Sequence, residues 1–237
     1  MAYLKVFSGD TRAAKAGALL LLSQAEQIEG KFPATLAIST EAIALYRALV
    51  TTEGRTEFRK DLAAALMNQG AALRTQGDLP AALASYAEAI ALYRALITTE
   101  GRTKFRQLAL ALMTQGTALQ TQGDLLGALA AYAEAITLRE HLVAQGQTRI
   151  LPGLIKALGN RFLAQRQKKD WDAAAADVAR AVELTMTFLQ GDGLAELVRR
   201  EMDGFVKILR TMTPEEREQL YEVLGEWAKV VRGLVEE

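Results

Sequence analysis

The chain contains near-copies of its own segments, and this repetition limits the fold more than any other feature. AIALYRALVTTEGRTEF at positions 42–58 returns as AIALYRALITTEGRTKF at 89–105 with two differences. LAAALMNQGAALRTQGDLPAALASYAEAI at 62–90 returns as LALALMTQGTALQTQGDLLGALAAYAEAI at 108–136. The period is 46–47 residues. Weaker copies flank these two: EGKFPATLAISTEAIALY at 29–46 and KKDWDAAAADVARAVEL at 168–184. A unit recurring at such a spacing is one supersecondary element. It cannot bury its apolar face alone and must stack on its neighbours.

Each unit reads as two helices. Apolar residues recur at three- and four-residue spacing through Leu62, Leu66 and Leu73, and again through Leu79, Leu83, Tyr86, Ile90 and Tyr93. Ala, the best helix former, is abundant. Gly77–Asp78 and Gly123–Asp124 break the two helices of a unit, and each Asp is placed to cap the helix that follows. Pro33 and Pro80 suit a first turn, where a missing N–H costs little. Gly54 and Gly101 suit the left-handed position that ends a helix. No segment alternates as a half-buried strand does. From about Gly191 the repeat fades. Leu194, Leu197, Met202, Phe205, Ile208 and Leu209 still predict a helix, and Thr213-Pro214-Glu215-Glu216 reads as a capping box. A final helix carries the stripe Leu220, Tyr221, Leu224, Trp227, Ala228, Val231 and Leu234. These two helices are expected to cap the array, with Glu, Lys and Arg facing solvent.

The order small residue, large apolar residue, Gly, Ala, aromatic, Ala resembles the tetratricopeptide repeat (TPR). Gly70, Leu73, Gly77, Ala82, Tyr86 and Ala89 match it, and so do Gly116, Leu119, Gly123, Ala128, Tyr132 and Ala135. The downstream copy keeps Ala174 and Ala181 but has Phe162 and Val178 at the small and aromatic positions. The upstream copy keeps Gly30 and Ala42 but has Thr35 and Ser39 where Ala and an aromatic belong. The period exceeds the usual TPR length of about 34 residues, so the helices are longer. The resemblance implies an all-α, right-handed α-solenoid of antiparallel helix pairs, about five hairpins in all. In such a unit Gly70 and Ala82 face each other, and Tyr86 fills the space between one repeat and the next. The expected organisation is a lead-in at 1–9, repeats at 10–53, 54–100, 101–146 and 147–190, and a capping helix pair at 191–237.

Composition narrows the function. The 237 residues are 50 % apolar and carry 28 basic and 28 acidic side chains, with no Cys. That balance argues against disorder, and the absence of Cys excludes a disulfide framework or a Cys-ligated metal. Zero net charge argues against nucleic acid, whose affinity comes from Lys and Arg on phosphates. The apolar start MAYLKVF is too short for a signal-peptide core, and the run 18–22 is far too short to cross a membrane. The expected setting is the cytoplasm, without a membrane.

No catalytic constellation stands out, so no enzyme and no cofactor is expected. His141, beside Glu140, reads as a surface or partly packed residue. GDG at 191–193 lacks the strand and further glycines of a nucleotide loop and reads as a helix break. Arg55, Arg59 and Lys60 recur as Arg102, Lys104 and Arg106, followed by Arg149, which stacking would align into a basic ridge. Glu53, Glu57 and Glu100 are interleaved and can neutralise it locally. Arg166, Lys168 and Lys169 form a second cluster, next to Asp170.

In the family it resembles, the first helix of each pair lines a concave face that holds a protein segment. Carried over here, that face is lined by Met67, Asn68, Ala71 and Arg74, with Ala64 beside them. The next unit contributes Leu110, Met113, Thr114, Thr117 and Gln120, and the third Lys156, Asn160, Leu163 and Arg166. Lys156 and Asn160 partly match the clamp with which some TPR proteins hold a terminal carboxylate. Met67 and Ala71 at the other clamp positions cannot supply its charge or amide, so no such clamp is expected. The resemblance implies a non-catalytic interaction module or scaffold that binds a peptide or helix of a partner in its groove. A self-assembling repeat protein and a regulatory domain of a larger signalling chain are the alternatives.

Overall fold

The computed structural model describes residues 11–100, 105–188 and 195–236, with side chains throughout except at positions 99, 100, 195 and 197. The lead-in at 1–9, the glycine at 101, the basic positions 102 and 104 and the GDG at 191–193 lie outside them. The side chains at 100 and 197 and the residue at 194 do as well. The described residues are α-helical with short turns, and no strand occurs among them. The chain divides into two compact units, Met1–Ala118 and Leu119–Glu237.

Unit 1 holds α1 (Thr11–Ile28), α2 (Phe32–Arg47), α3 (Arg59–Thr75), α4 (Leu79–Glu100) and most of α5 (Phe105–Gln122). α1 packs on α2, α2 on α3, and α3 on α4. The sequence punctuation accounts for the turns. Gly77 ends α3 at φ +86°, a left-handed geometry that costs glycine nothing, and Asp78 then accepts from Ala81 N–H at 3.1 Å to cap α4. Pro33 sits in the first turn of α2. Beyond Arg47, α2 widens into a π-helical turn at Ala48–Thr52 before Gly54 breaks it at φ +69°.

The interior of unit 1 shows why small residues recur. A Cβ added at Gly70 would land 2.7 Å from Tyr86 Cδ1 and closer still to Cε1. The Tyr86 ring thus lies directly on Gly70, its buried face completed by Ala82 and by Ala118 of α5. The partner of Gly70 is therefore chiefly Tyr86. One repeat earlier, Ser23 and Ser39 occupy these two positions, both fully buried. Each hydroxyl donates to a carbonyl of its own helix, Leu20 and Leu36 respectively. Asn68 Nδ2 on α3 also donates to Ser23 Oγ at 2.9 Å.

Unit 2 contains the end of α5, then α6 (Leu125–Ala144), α7 (Leu151–Lys168), α8 (Trp171–Phe188), α9 (Ala195–Arg210), α10 (Pro214–Leu224) and α11 (Ala228–Glu236). α7 packs on α6, α8 and α9, α10 on α8, and α11 on α9 and α10. Asp124 caps α6 by accepting from Gly127 N–H at 2.9 Å. Here Phe162 stands in the slot of Gly70, fully buried, with the equally buried Val178 in place of the tyrosine. The Phe162 ring meets Phe205 of α9 at a centroid distance of 5.5 Å.

The C-terminal segment departs from the expected helix pair. The capping box at Thr213 is present: its side chain accepts from Glu216 N–H, and Glu216 accepts from Thr213 N–H. The final stripe, however, is not one helix. Gly225 at φ +56° breaks it, and a single 3-10 turn (Gly225–Trp227) separates α10 from α11. Leu220 and Tyr221 of α10 and Val231 of α11 are all buried in unit 2.

Candidate functional site

The thirteen groove residues divide sharply in their surroundings. On α3, Asn68 is only 9 % exposed and its amide is spent on Ser23. Met67 is half-buried against the Tyr86 core, and Ala71 is half-buried; Arg74 is exposed. On α5, Met113 is 6 % exposed and belongs to the interior, whereas Leu110 is 58 % exposed. Thr114 and Thr117 are half-buried, each hydroxyl donating to a carbonyl one turn back. Gln120, in unit 2, accepts from the Tyr132 hydroxyl at 3.1 Å. Met113 and Asn68 are corrected from groove contacts to packing residues. The long helices turn them toward their neighbours, where apolar burial and a buried amide–hydroxyl bond hold them.

On α7, Arg166 is likewise engaged within the chain. Its Nη2 pairs with Glu216 Oε2 at 2.6 Å, and its Nη1 donates to Thr211 Oγ1 at 3.0 Å. This pairing holds the Glu216 carboxyl below its usual range. Leu163 is half-buried. Exposed Lys156 and half-buried Asn160 form no hydrogen bond or ion pair among the described residues.

Lys156 and Asn160 lie together in a cleft of about 180 Å³ between α7 and α9. Its apolar lining is Ile155, Phe205 and Ile208, with Glu201 at the edge and Gly159 and Gly204 in the walls. The glycines make the cleft. A Cβ at Gly159 would already touch Phe205 and Ile208 at 3.8 Å, whereas one at Gly204 would meet nothing within 4 Å and so would project into open space. Glu201 is half-buried and accepts from its neighbour Arg200 at 3.3 Å. An apolar floor with an ammonium and an amide free at its rim can take an apolar side chain lying next to a carboxylate or a carbonyl.

The α9 side of this cleft was not legible as a site, because α9 was read only as a cap. The signal present in the sequence was the pair of glycines, Gly159 and Gly204, within two otherwise strong helices. Behind α7, the ion pair of Arg161 with Asp177 ties α7 to α8. Asp177 is almost wholly buried, and burial pushes its carboxyl up more than Arg161 pulls it down. A second hollow, lined by Asp203, Val206, Lys207, Arg210 and Leu234, is closed to new partners at Arg210, which donates to the carbonyls of Leu234 and Val235.

Three of the remaining charged candidates are engaged locally. Arg55 pairs with Glu57 at 3.0 Å and lies over the Phe58 ring, and Lys168 approaches Asp170 at 3.6 Å. His141 shares a hydrogen bond with Gln145. Among the described residues no three His, Asp or Glu converge as a metal site would require, and no helix is long and apolar enough to cross a membrane.

No family model and no curated protein matches the sequence. The fold has solved counterparts. The crystal structure of BtubC (BKLC) from P. vanneervenii is similar over 99 % of this chain and 86 % of its own, with a TM-score of 0.62 and 14 % identity. At that identity the likeness is one of fold, and it agrees with the all-helical class.

Proposed function

We propose that the chain is a non-catalytic interaction module of TPR type, cytoplasmic, whose helix pairs stack as a right-handed α-solenoid and hold a segment of a partner protein. In unit 2 the segment docks in the α7–α9 cleft. The observation that carries this reading is the cleft itself: Lys156 and Asn160, which the TPR resemblance places on the groove face, both offer polar groups and share one apolar hollow. The guest is a peptide that offers an apolar side chain to Phe205 and Ile208 and an acidic or carbonyl group to Lys156.

The test is capture of partners from source-cell lysate with the wild type and with Gly204→Leu. The substitution removes a helix-interior glycine, so it leaves melting unchanged or raises stability by up to about 1 kcal/mol. It also fills the cleft. A protein retained by the wild type and lost with Gly204→Leu and with Lys156→Glu supports the reading; retention unaffected by both contradicts it.

Self-assembly has one observation in its favour. Ala18, Leu21, Leu22, Ala25 and Ile28 form an exposed apolar stripe along α1, with Leu21 68 % and Ile28 87 % exposed. A concentration-dependent oligomer that reverts to monomer with Leu21→Glu and Ile28→Glu would favour it.

A further inference from the structure

Among the described residues, Arg139 of α6 is a buried cation without a partner. It is 6 % exposed, and its Nε and Nη1 are buried with no hydrogen-bond partner. No carboxylate opposes it, so burial alone acts on the guanidinium and pulls it down to about 10. The group lies over Gly153 in the first turn of α7, its Nε, Cζ and Nη2 at 3.4, 3.6 and 3.8 Å from where a Cβ would stand. An isolated ion removed from water is among the costliest features a fold can contain.

The repeat shows how this arose. Ala135-Ile136-Thr137-Leu138-Arg139 is in register with Ala42-Ile43-Ala44-Leu45-Tyr46 and Ala89-Ile90-Ala91-Leu92-Tyr93, so Arg139 replaces a buried tyrosine. Leu154 is in register with Leu62 and Leu108, so Gly153 stands where the sister repeats have Asp61 and Gln107. In unit 1 burial, and after it the Asp61 charge, pushes up both Tyr46 and Tyr93, the latter to about 12, and that second cause places the carboxylate beside them. Unit 2 has gained the cation and lost the acceptor side chain at the same point. The next register position there is Thr185, smaller than Tyr93.

Leu151, Pro152, Gly153 and Leu154, the first turn of α7, carry no side-chain acceptor. The N-cap of α7 is Ile150, which makes no side-chain cap, and the start of a helix carries the positive end of its dipole. The guanidinium and the helix end thus add the same sign of potential at Gly153. Both are satisfied by an oxyanion, whose paired oxygens fit the guanidinium fork.

We propose that Arg139, over Gly153 at the start of α7, binds a small oxyanion that takes the place of the carboxylate held by Asp61 in the sister repeat. The chemistry is that of a phosphate or carboxylate group.

The experiment is thermal unfolding and calorimetric titration of the full chain with inorganic phosphate, and in parallel with acetate, against chloride at matched ionic strength. Wild type is expected to gain melting temperature saturably with at least one of the two anions. Arg139→Tyr, the sister residue, is expected to weaken that affinity roughly tenfold or more, the loss of a charge-assisted pair. Gly153→Asp restores the internal carboxylate, so it should melt higher than wild type in chloride and ignore added anion. An equal anion effect in all three proteins, which is the general salting-out of phosphate, would overturn the proposal. So would a Gly153→Asp protein that melts lower than wild type in chloride. Should Arg139→Tyr not fold, Gly153→Asp and the wild-type titration decide alone.

Discussion

The hairpins α3–α4 and α7–α8 stand at the same place in the repeat and fill the same slot in opposite ways. In the first, the small residue is on the leading helix and the large one on the second: Gly70 against Tyr86. In the second the order is reversed, Phe162 against Val178, and Phe162 also reaches Phe205 of α9. In both hairpins the slot stays filled although the order of large and small is reversed, because interiors resist voids and overpacking alike. Their turns differ in the same spirit. Gly77 makes the left-handed turn after α3 at φ +86°, whereas Lys169 makes it after α7 at φ +59° and accepts the strain.

The comparison can be broken most severely at Phe162. Phe162→Ala empties a fully buried slot that no partner can refill, and denaturant unfolding should show a loss of roughly 3–5 kcal/mol. Gly70→Val drives a side chain into the Tyr86 ring and should cost about 3 kcal/mol. In a Tyr86→Val background, which imitates the α7–α8 hairpin, the same substitution should cost well under about 1 kcal/mol. A double-mutant cycle reads this difference, and additive costs would refute the volume argument. At the turn, Lys169→Gly should stabilise by roughly 0.5–1 kcal/mol, while Gly77→Lys should destabilise by a similar amount.

The smallest expected effect concerns Glu216. Arg166 holds its carboxyl below the usual range. The pairing therefore contributes stability that is full above the ordinary glutamate pKa and is lost as pH falls through the lowered folded value. Between about pH 5 and pH 3, wild type should lose more stability than Glu216→Gln, by less than about 1 kcal/mol. Equal acid limbs would show that the pair is idle.

The sequence carried the helix spans, the Gly–Asp turns and the Thr213 box, because each is written in local residue types at fixed spacing. The near-identical copies marked Gly70 as a close approach but paired it with Ala82, whereas Tyr86 lies on it. Burial of Met113 and Asn68 was not readable: which face of a long helix points inward depends on neighbours two helices away. The break at Gly225 was hidden by an apolar stripe that continues through it. Arg139 is visible in the alignment of the copies as a charge in a tyrosine column, but its burial depends on how the helices pack, which a column of residues does not state.

The central claim is that the α7–α9 cleft receives a partner segment. Amide hydrogen exchange of the full chain, alone and with a captured partner, tests it most directly. The account predicts added protection within 155–160 and 201–208 that disappears with Gly204→Leu. Protection confined to α1 around Leu21 and Ile28, with none on α7 and α9, would contradict it.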